Sequence, residues 1–457
     1  MKRIIIISII FALPLLISSC GIYKPYLRPE TKTDKLFGET VETTDTTTIA
    51  SLKWEQVFTD SDLQRLIRNG LGNNVDLRIA HLRITQAETS LKSARLSYFP
   101  AVSFNPQGNL NSFDGSDVAK TYQLPVAASW ELDIFGKVTN VKHQKKAALE
   151  QSKAYQQTVR TQLIANIANS YYTLLMLDKQ LEITLQTSVL WEKNVNVMRA
   201  LKQAGQTTEA AIAQADANKR SADASVINLR RQITEVENAL CVTLGETPRA
   251  IERGKFEEQV LPETLSIGIP LQLLSNRPDV QSAEAALMQA YYATNEARSY
   301  FYPSITLSGN IGWTNSGGGG ISNPGAILWQ VIGNLSQPIF NKGVNKARLD
   351  MAKVQQEEAK LNFQQTLLNA GSEVNNALAQ CQSTKEKVSL YDQQVTLLKS
   401  AVHNTQLLMQ HGNTTSYLEV LTSQQTLLQA QLNQISNRFD AIQGVITLYR
   451  ALGGGRN

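Results

Sequence analysis

A chain of 457 residues with a net charge of +5, two of them from Lys2 and Arg3, is too weakly basic to point to nucleic acid, and it holds no basic run. Charged residues make up 18% and aromatics 7%, while Gln, Ala, Leu and Asn fill long stretches, which is the composition of helices packed on helices with wet outer faces. Of the three cysteines (Cys20, Cys241, Cys381), Cys241 and Cys381 read as buried free thiols, a disulfide between them being the alternative in an oxidising compartment, and the four histidines (His81, His143, His403, His411) form no HExxH and no close pair with cysteine.

The chain opens with a secretory signal over residues 1–19: Lys2-Arg3, then an apolar core from Ile4 to Ile17. Ile17-Ser18-Ser19-Cys20 has the lipobox pattern of an aliphatic residue, two small residues and a cysteine. It predicts cleavage before Cys20 and lipidation of its thiol; the competing reading is an ordinary signal with a chance cysteine. Gly21 is not the aspartate that holds bacterial lipoproteins at the inner membrane, so the outer membrane is expected. Several acyl chains on one cysteine anchor firmly where one does not. Residues 20–51, polar and Thr-rich with Pro25 and Pro29, read as a lipidated linker.

The next unit spans 52–248. A helix begins near Trp54, with Asp60 or Ser61 as N-cap, and a second helix runs from about Val75 to Tyr98, stopped by Pro100. Two alternating stretches follow, at about 101–111 and 121–133. Val102, Phe104, Gly108 and Leu110 share one face of the first, against Ser103, Asn105, Gln107 and Asn109. Tyr122, Leu124, Val126, Ala128, Trp130 and Leu132 share one face of the second. Ten alternating residues suit a transmembrane β-strand with lipid on one side and a lumen on the other. A soluble sheet with one wet face is the alternative, but no apolar helix remains to cover it. A long hairpin over 140–244 comes next. Residues 140–203 contain no Pro or Gly, room for a helix of roughly 96 Å. Ala204-Gly205-Gln206-Thr207-Thr208 breaks it, with Thr207 or Thr208 capping the returning helix.

Residues 249–267 form a Pro/Gly/Glu-rich excursion between two units, and 268–457 repeat the first. Gly268-Ile-Pro270 and Arg277-Pro278-Asp279 lead into an Ala-rich helix predicted to end near Phe301, before Pro303. Strands are expected at about 304–313 and, more weakly, 327–336, with Gly317–Gly320 as a loose loop between them. A second long hairpin over 344–452 turns at His411-Gly412-Asn413-Thr414-Thr415. Pro100 and Pro303, both helix–strand junctions, lie 203 apart; Ile134-Phe135 and Ile339-Phe340 lie 205 apart; Gly205 and Gly412 lie 207 apart. Four strands cannot close a barrel, and lipid does not tolerate open edges, so the chain is expected to oligomerise. Two copies give only a filled eight-stranded interior, three give a channel.

No enzyme constellation appears. There is no HExxH or GxSxG, no Walker lysine follows the glycine run, and no metal or cofactor is expected.

GIP-x-x-LL-x-x-RPDV-x-x-AE at 268–284 and AR-x-x-x-x-PSI-x-L at 297–307 resemble the TolC-like outer membrane factors, in their NodT/OprM-type lipoprotein branch. WELDIFGKV at 130–138, ENALCVTLGETP at 237–248 and YLEVLTSQQTLLQAQL at 417–432 match as well. The resemblance covers Trp54 to Gly455. It implies a mainly α fold with membrane β: a homotrimer with four strands per chain in a 12-stranded barrel, continuing into a periplasmic α-helical tube. It implies a passive exit duct of a tripartite efflux system, served by a periplasmic adaptor and an inner membrane pump, proton-driven in this branch. Ala204, Gly205, Gln206 and Thr207, with His411, Gly412, Asn413 and Thr414, would be adaptor-contacting and gating tips. Family members often carry an acidic residue in the second tip; this chain has none there, which argues against a carboxylate ring as its gate. The rival readings are a duct for ABC-driven protein secretion and a pore-less periplasmic lipoprotein rod.

Overall fold

The computed structural model describes residues 22–29, 52–112, 114–115, 117–259, 277–315, 325–411 and 417–455. They fall into two compact units. One joins segments of residues 1–31, 82–154 and 281–365; the other joins 32–81, 155–280 and 366–457. Each unit takes elements from both halves of the sequence.

The first half contains α1 (Trp54–Val57), α2 (Ser61–Asn73), α3 (Val75–Leu96), β1 (Ala101–Phe104), β2 (Gln107–Asn111), β3 (Ala119–Leu132), α4 (Lys137–Gln203) and α5 (Glu209–Leu244). A short 3₁₀ turn at Phe256–Glu258 follows. The second half contains α6 (Pro278–Ser299), β4 (Ser304–Thr314), β5 (Ala326–Ser336), α7 (Val344–His411) and α8 (Tyr417–Ala451). The two halves are internal repeats. Helices α3 and α6 are both 22 residues long, 203 positions apart at both ends. Helices α4 and α7 have 67 and 68 residues, and α5 and α8 have 36 and 35.

Helix ends follow local chemistry. Asp60 caps α2, its carboxylate accepting from the backbone N–H of Asp62 and Leu63 at 2.9 and 3.0 Å. Helices α4, α5 and α8 end in the same hydrogen-bonded stop, each with a left-handed glycine: Gly205, Gly245 and Gly453. The residue after each glycine donates back to the carbonyl of Leu201, Cys241 or Tyr449, so exposed carbonyls are satisfied. Sequence reading takes α3 to Tyr98 and α6 to Phe301; both helices stop earlier, at Leu96 and Ser299. The intervening residues tighten into turns before the prolines. Tyr98 and Phe99 donate to the carbonyls of Arg95 and Leu96, and Phe301 and Tyr302 to those of Arg298 and Ser299.

The strands form one antiparallel sheet in the order β1-β3-β4-β5, with β2 also on β3. β1 and β2 lie end to end in one register, Phe104 opposite Val126 and Gln107 opposite Gln123. The alternation of 101–111 reads as one strand, but it is interrupted at Asn105-Pro106. Pro106 has no N–H, and Pro125 sits across from the break, its carbonyl accepting from the Asn105 N–H at 3.3 Å. The sheet is therefore four strands wide. Gly312 lies opposite Pro125, where a Cβ would come within 2.3 Å of the Leu124 carbonyl oxygen.

Cys241 and Cys381 are buried free thiols, and burial pushes the Cys381 thiol up.

Candidate functional site

Register fixes what each face of the sheet carries. Directly opposed residues share a face. Trp130 opposes Leu307, Val126 opposes Ile311 and Leu124 opposes Trp313; Ile311 and Trp313 in turn oppose Trp329 and Ile327. Val102, Phe104 and Leu110 extend the same face at the other edge. All of these side chains are exposed, Trp329 and Val331 among the most. The opposite face carries Ser103, Gln107, Asn109, Gln123, Ser129, Glu131, Ser304, Thr306, Ser308, Asn310, Gln330 and Asn334, with Leu328 and Ile332 as apolar exceptions. A continuous exposed apolar face of this size does not survive in water. Among the described residues no helix is long and apolar enough to cross a membrane.

The helix–strand junctions at Pro100 and Pro303 are braced alike. The Trp130 indole N–H donates to the Tyr98 carbonyl at 2.8 Å, and the Gln337 amide donates to the Phe301 carbonyl at 3.1 Å. Where β3 returns to α4, the Asp133 carboxylate accepts from the N–H groups of Val138 and Thr139, both at 2.8 Å. Residues 22–29 are pinned in the same unit. Tyr26 packs edge-on to Tyr291, the Tyr291 hydroxyl donates to the Lys24 carbonyl at 2.8 Å, and Arg28 lies 3.6 Å from Glu284. Ile22 and Tyr23 line a pocket with Ile134, Gly136 and His143 at the β3–α4 junction. Burial and the neighbouring Lys142 and Lys146 hold His143 below the usual imidazole range.

Arg277, Pro278 and Asp279 are brought together as a clamp. The guanidinium of Arg277 is buried and grips the Asp279 carboxylate with two bonds, of 3.0 and 2.7 Å. It also reaches Glu373 at 2.8 Å and the Ala451 carbonyl at the end of α8 at 2.7 Å. Burial works against the charge, but both carboxylates outweigh it and raise the Arg277 pKa. Sequence reasoning missed the counterpart in the first repeat. Asn74, also buried, caps α3 through Leu77 and donates to the Thr243 carbonyl near the end of α5 at 2.9 Å. Carrying the 203-residue offset one position upstream of α3 would have found it. A third clamp is at Arg253, which bonds Asp178 at 2.5 and 2.9 Å and Glu237 at 2.6 Å.

The first tip is well formed. Ala204 and Gly205 close the turn after α4, Gln206 is exposed, and Thr208 rather than Thr207 caps α5 through Ala211 at 3.3 Å. Lys202 and Glu209 pair across the turn. Beneath lies a cluster of Trp191, Val195, Met198, Ile212, Ala215, Ala222 and Leu421. The buried Tyr417 hydroxyl beside it is pushed up to about 12 by burial. In the second tip, His411 ends α7, while Gly412, Asn413 and Thr414 lie outside the described residues. Cys20 and Gly317–Gly320 lie outside them too. Among the described residues no group of three or more His, Cys, Asp or Glu could hold a metal ion.

A four-stranded sheet with one exposed apolar face, open at both edges and continuous with helices of 67 and 68 residues, defines a protomer of a TolC-like membrane channel. Residues 66–246 and 269–454 each match the outer membrane efflux protein family, and the chain belongs to that family. It is 28% identical over 452 residues to the cation efflux system protein CusC of Escherichia coli, covering 97% of this chain and 98% of that one. The probable efflux pump outer membrane protein TtgC of Pseudomonas putida is 28% identical over 454 residues, covering 96% and 93%. Among solved structures, CusC superposes with a TM-score of 0.87 at 27% identity, covering 95% of this chain and all (100%) of that one. The open state of the MtrE outer membrane channel of Neisseria gonorrhoeae gives 0.87 at 27%, covering 95% and 98%. The protein is an outer membrane component of an efflux system.

Proposed function

We propose that three copies close a 12-stranded barrel, β5 of each pairing with the β1/β2 edge of the next, and that the assembly passively conducts small molecules out of the cell. The observation that supports it is the sheet: lipid-suited residues on one face, hydroxyls and amides on the other, and unpaired edges that cannot face hydrocarbon. Similar proteins serve cations in one case and antibiotics or solvents in others, so cargo choice is assigned to the pump rather than to this duct. The chain itself catalyses nothing; an inner membrane pump, proton-driven, supplies the energy through a periplasmic adaptor.

Acylated Cys20 anchors each copy. The segment beginning at Ile22 is held against the β3–α4 junction, and only Gly21 lies between it and Cys20, so the lipid can lie no more than about 7 Å of chain from that junction. The tips Ala204–Thr207 and His411–Thr414 meet the adaptor, whose docking favours an open arrangement of the hairpins. With no carboxylate in the second tip, closure rests on hydrogen bonds and bulky side chains. The sequence divides functionally at 52–248 and 268–457.

The test is photo-crosslinking in cells from Gln206 and Asn413, with mass spectrometry of the captured protein. Capture of the adaptor of a proton-driven pump is expected. Capture of an ABC exporter's adaptor would reassign the duct to protein secretion, and capture of neither with the pumps expressed would remove the tip assignment. Substituting Cys20 by serine should abolish incorporation of labelled palmitate.

A further inference from the structure

Among the described residues, six of the eight helices place a carboxylate in their first turn: Glu55, Asp62, Asp76, Glu209, Asp279 and Glu419. A negative charge suits the positive end of a helix. The two exceptions are α4 and α7, the helices that begin where the sheet ends. Both starts are basic instead. Residues 134–149 hold Lys137, Lys142, Lys145 and Lys146 and no Asp or Glu; residues 337–349 hold Lys342, Lys346 and Arg348 and none either. Lys137 pairs with Glu131 at 2.9 Å. Among the described residues the other six have no carboxylate partner. The first acids beyond them, Glu150 and Asp350, pair onward with Lys153 and Lys353.

Set against the helix dipole and against one another, these cations cost the fold stability. Lys146, Lys342 and Lys346 are exposed and Lys145 is half-buried. Two of the other cations rest on junction aromatics. The Lys142 ammonium lies 5.0 Å from the Tyr98 ring centre and the Arg348 guanidinium 3.9 Å from that of Tyr300. Tyr98 and Tyr300 stand just before Pro100 and Pro303, where the exposed apolar face of the sheet stops, beside the exposed Phe99, Ile339 and Phe340. The cations and the sheet belong to one compact unit. Lys342 and Lys346 flank the first residue of α7. Lys146 is nine residues beyond Lys137, roughly 14 Å along α4. Long lysine stems let such heads reach a nearby headgroup layer.

We propose that this basic rim binds the anionic phospholipid headgroups of the leaflet that takes the Cys20 lipid. Two observations select that occupant. The rim carries uncompensated positive charge, and it continues directly from the apolar face of the sheet, so a phosphodiester meets it where the acyl chains end. The strap at 22–29 brings the Cys20 end of the chain to the same junction, at the β3–α4 corner. The inference rests on the membrane reading above and adds the class of lipid that the duct prefers.

The experiment mixes the purified full-length protein in detergent with phosphatidylglycerol or with phosphatidylcholine of the same acyl chains, and native mass spectrometry counts the lipid that stays bound. A rim variant carries Lys145→Gln, Lys146→Gln, Lys342→Gln and Lys346→Gln. A control carries the same change at Lys193, Lys385, Lys387 and Lys399, far along the same helices. One basic side chain beside an anionic leaflet contributes about a fivefold preference. Wild type and control should therefore favour phosphatidylglycerol at least about fivefold at low salt, the rim variant neither lipid, and high salt should erase the difference. Arginine at the same four positions should keep the preference, which separates lost charge from lost fold. Lys145→Gln with Lys342→Gln alone should lie between, and reads the effect if the fourfold variant does not fold. A rim variant that holds as much phosphatidylglycerol as wild type overturns the proposal. So does full competition by inorganic phosphate, which would make the rim a site for free anions. Wild type that inserts into liposomes without headgroup preference removes this inference alone; wild type that does not insert removes the barrel reading beneath it.

Discussion

Helices α3 and α6 occupy equivalent places in the two repeats, yet only one is enclosed. Both have 22 residues and both end in a turn and a proline. Along α3 only Ala80, Leu91 and Ala94 are buried among its apolar residues, whereas α6 buries Val280, Ala285, Leu287 and Ala297 together with Thr294, Asn295 and Ser299. The difference lies in the neighbours. Helix α6 is covered by α4 and by the 22–29 strap, through Gln151, His143, Tyr26 and Arg28. Among the described residues, neither of these covers α3. Equal length and equal spacing thus do not decide which copy of a repeated helix is enclosed; the neighbours do.

The clamps sharpen the comparison most. Arg277→Ala should cost about 3 kcal/mol, because the α8 end and two carboxylates lose one buried fork. Asn74→Ala should cost about 1 kcal/mol, the value of a cap and one bond to Thr243. Thermal unfolding in detergent measures both. Equal losses would break the assignment of Arg277 as the stronger twin.

The sheet supplies the next contrast. Gly312→Asn should cost about 2 kcal/mol, because any Cβ collides with the Leu124 carbonyl beside Pro125. Its repeat counterpart is Asn109, opposite Thr121 on the outer strand, and Asn109→Gly should change stability by under about 1 kcal/mol. Heat resistance of the trimer on gels reads this directly; a tolerant Gly312 would mean that the β3–β4 pairing is looser than its register implies.

The junction braces come third. Trp130→Phe removes the bond to the Tyr98 carbonyl and should cost about 1 kcal/mol, with a similar loss from Gln337→Ala. Denaturant midpoints check both, and a loss confined to one repeat would contradict their equivalence.

The smallest effect is a pH dependence at Asp60. Burial raises its pKa, but the bonds from Leu63, Gln259, Tyr171 and Asp62 outweigh it, so the folded value lies below the ordinary 3.8. A depressed carboxylate stabilises the fold above its unfolded pKa and loses that contribution as pH falls through the folded one. Asp60→Asn should therefore flatten the decline in stability below about pH 4, and leave the pH 7 to 8 region parallel to wild type. An unchanged acid limb would remove Asp60 from the set.

Much of this was legible in the chain. Proline positions set the helix–strand junctions because a proline bars the helix from the residue before it, and Pro100 and Pro303 act in the same way. Alternation placed Val126, Trp130, Ile311 and Trp313 on one face because side chains alternate along any strand. Gly205 ended α4 because a left-handed residue stops a helix and glycine adopts it freely. The clamps were not legible in that way. Arg277 was noted as a motif, but its grip on Ala451 and Glu373 joins residues 174 and 96 positions away, and nothing local encodes such distances. The break at Pro106 was missed because alternation continues across it, while its place beside Asn105, opposite Pro125, depends on the pairing of two strands.

The sequence alone determined the repeat, the alternation and the points where helices start and stop, since these depend on neighbours within a few residues. The tertiary structure decided which copy of each repeated surface is covered. Identical spacing left Ala154 buried and Leu361 exposed. Burial depends on what packs against a position, and that depends on residues far away in the chain.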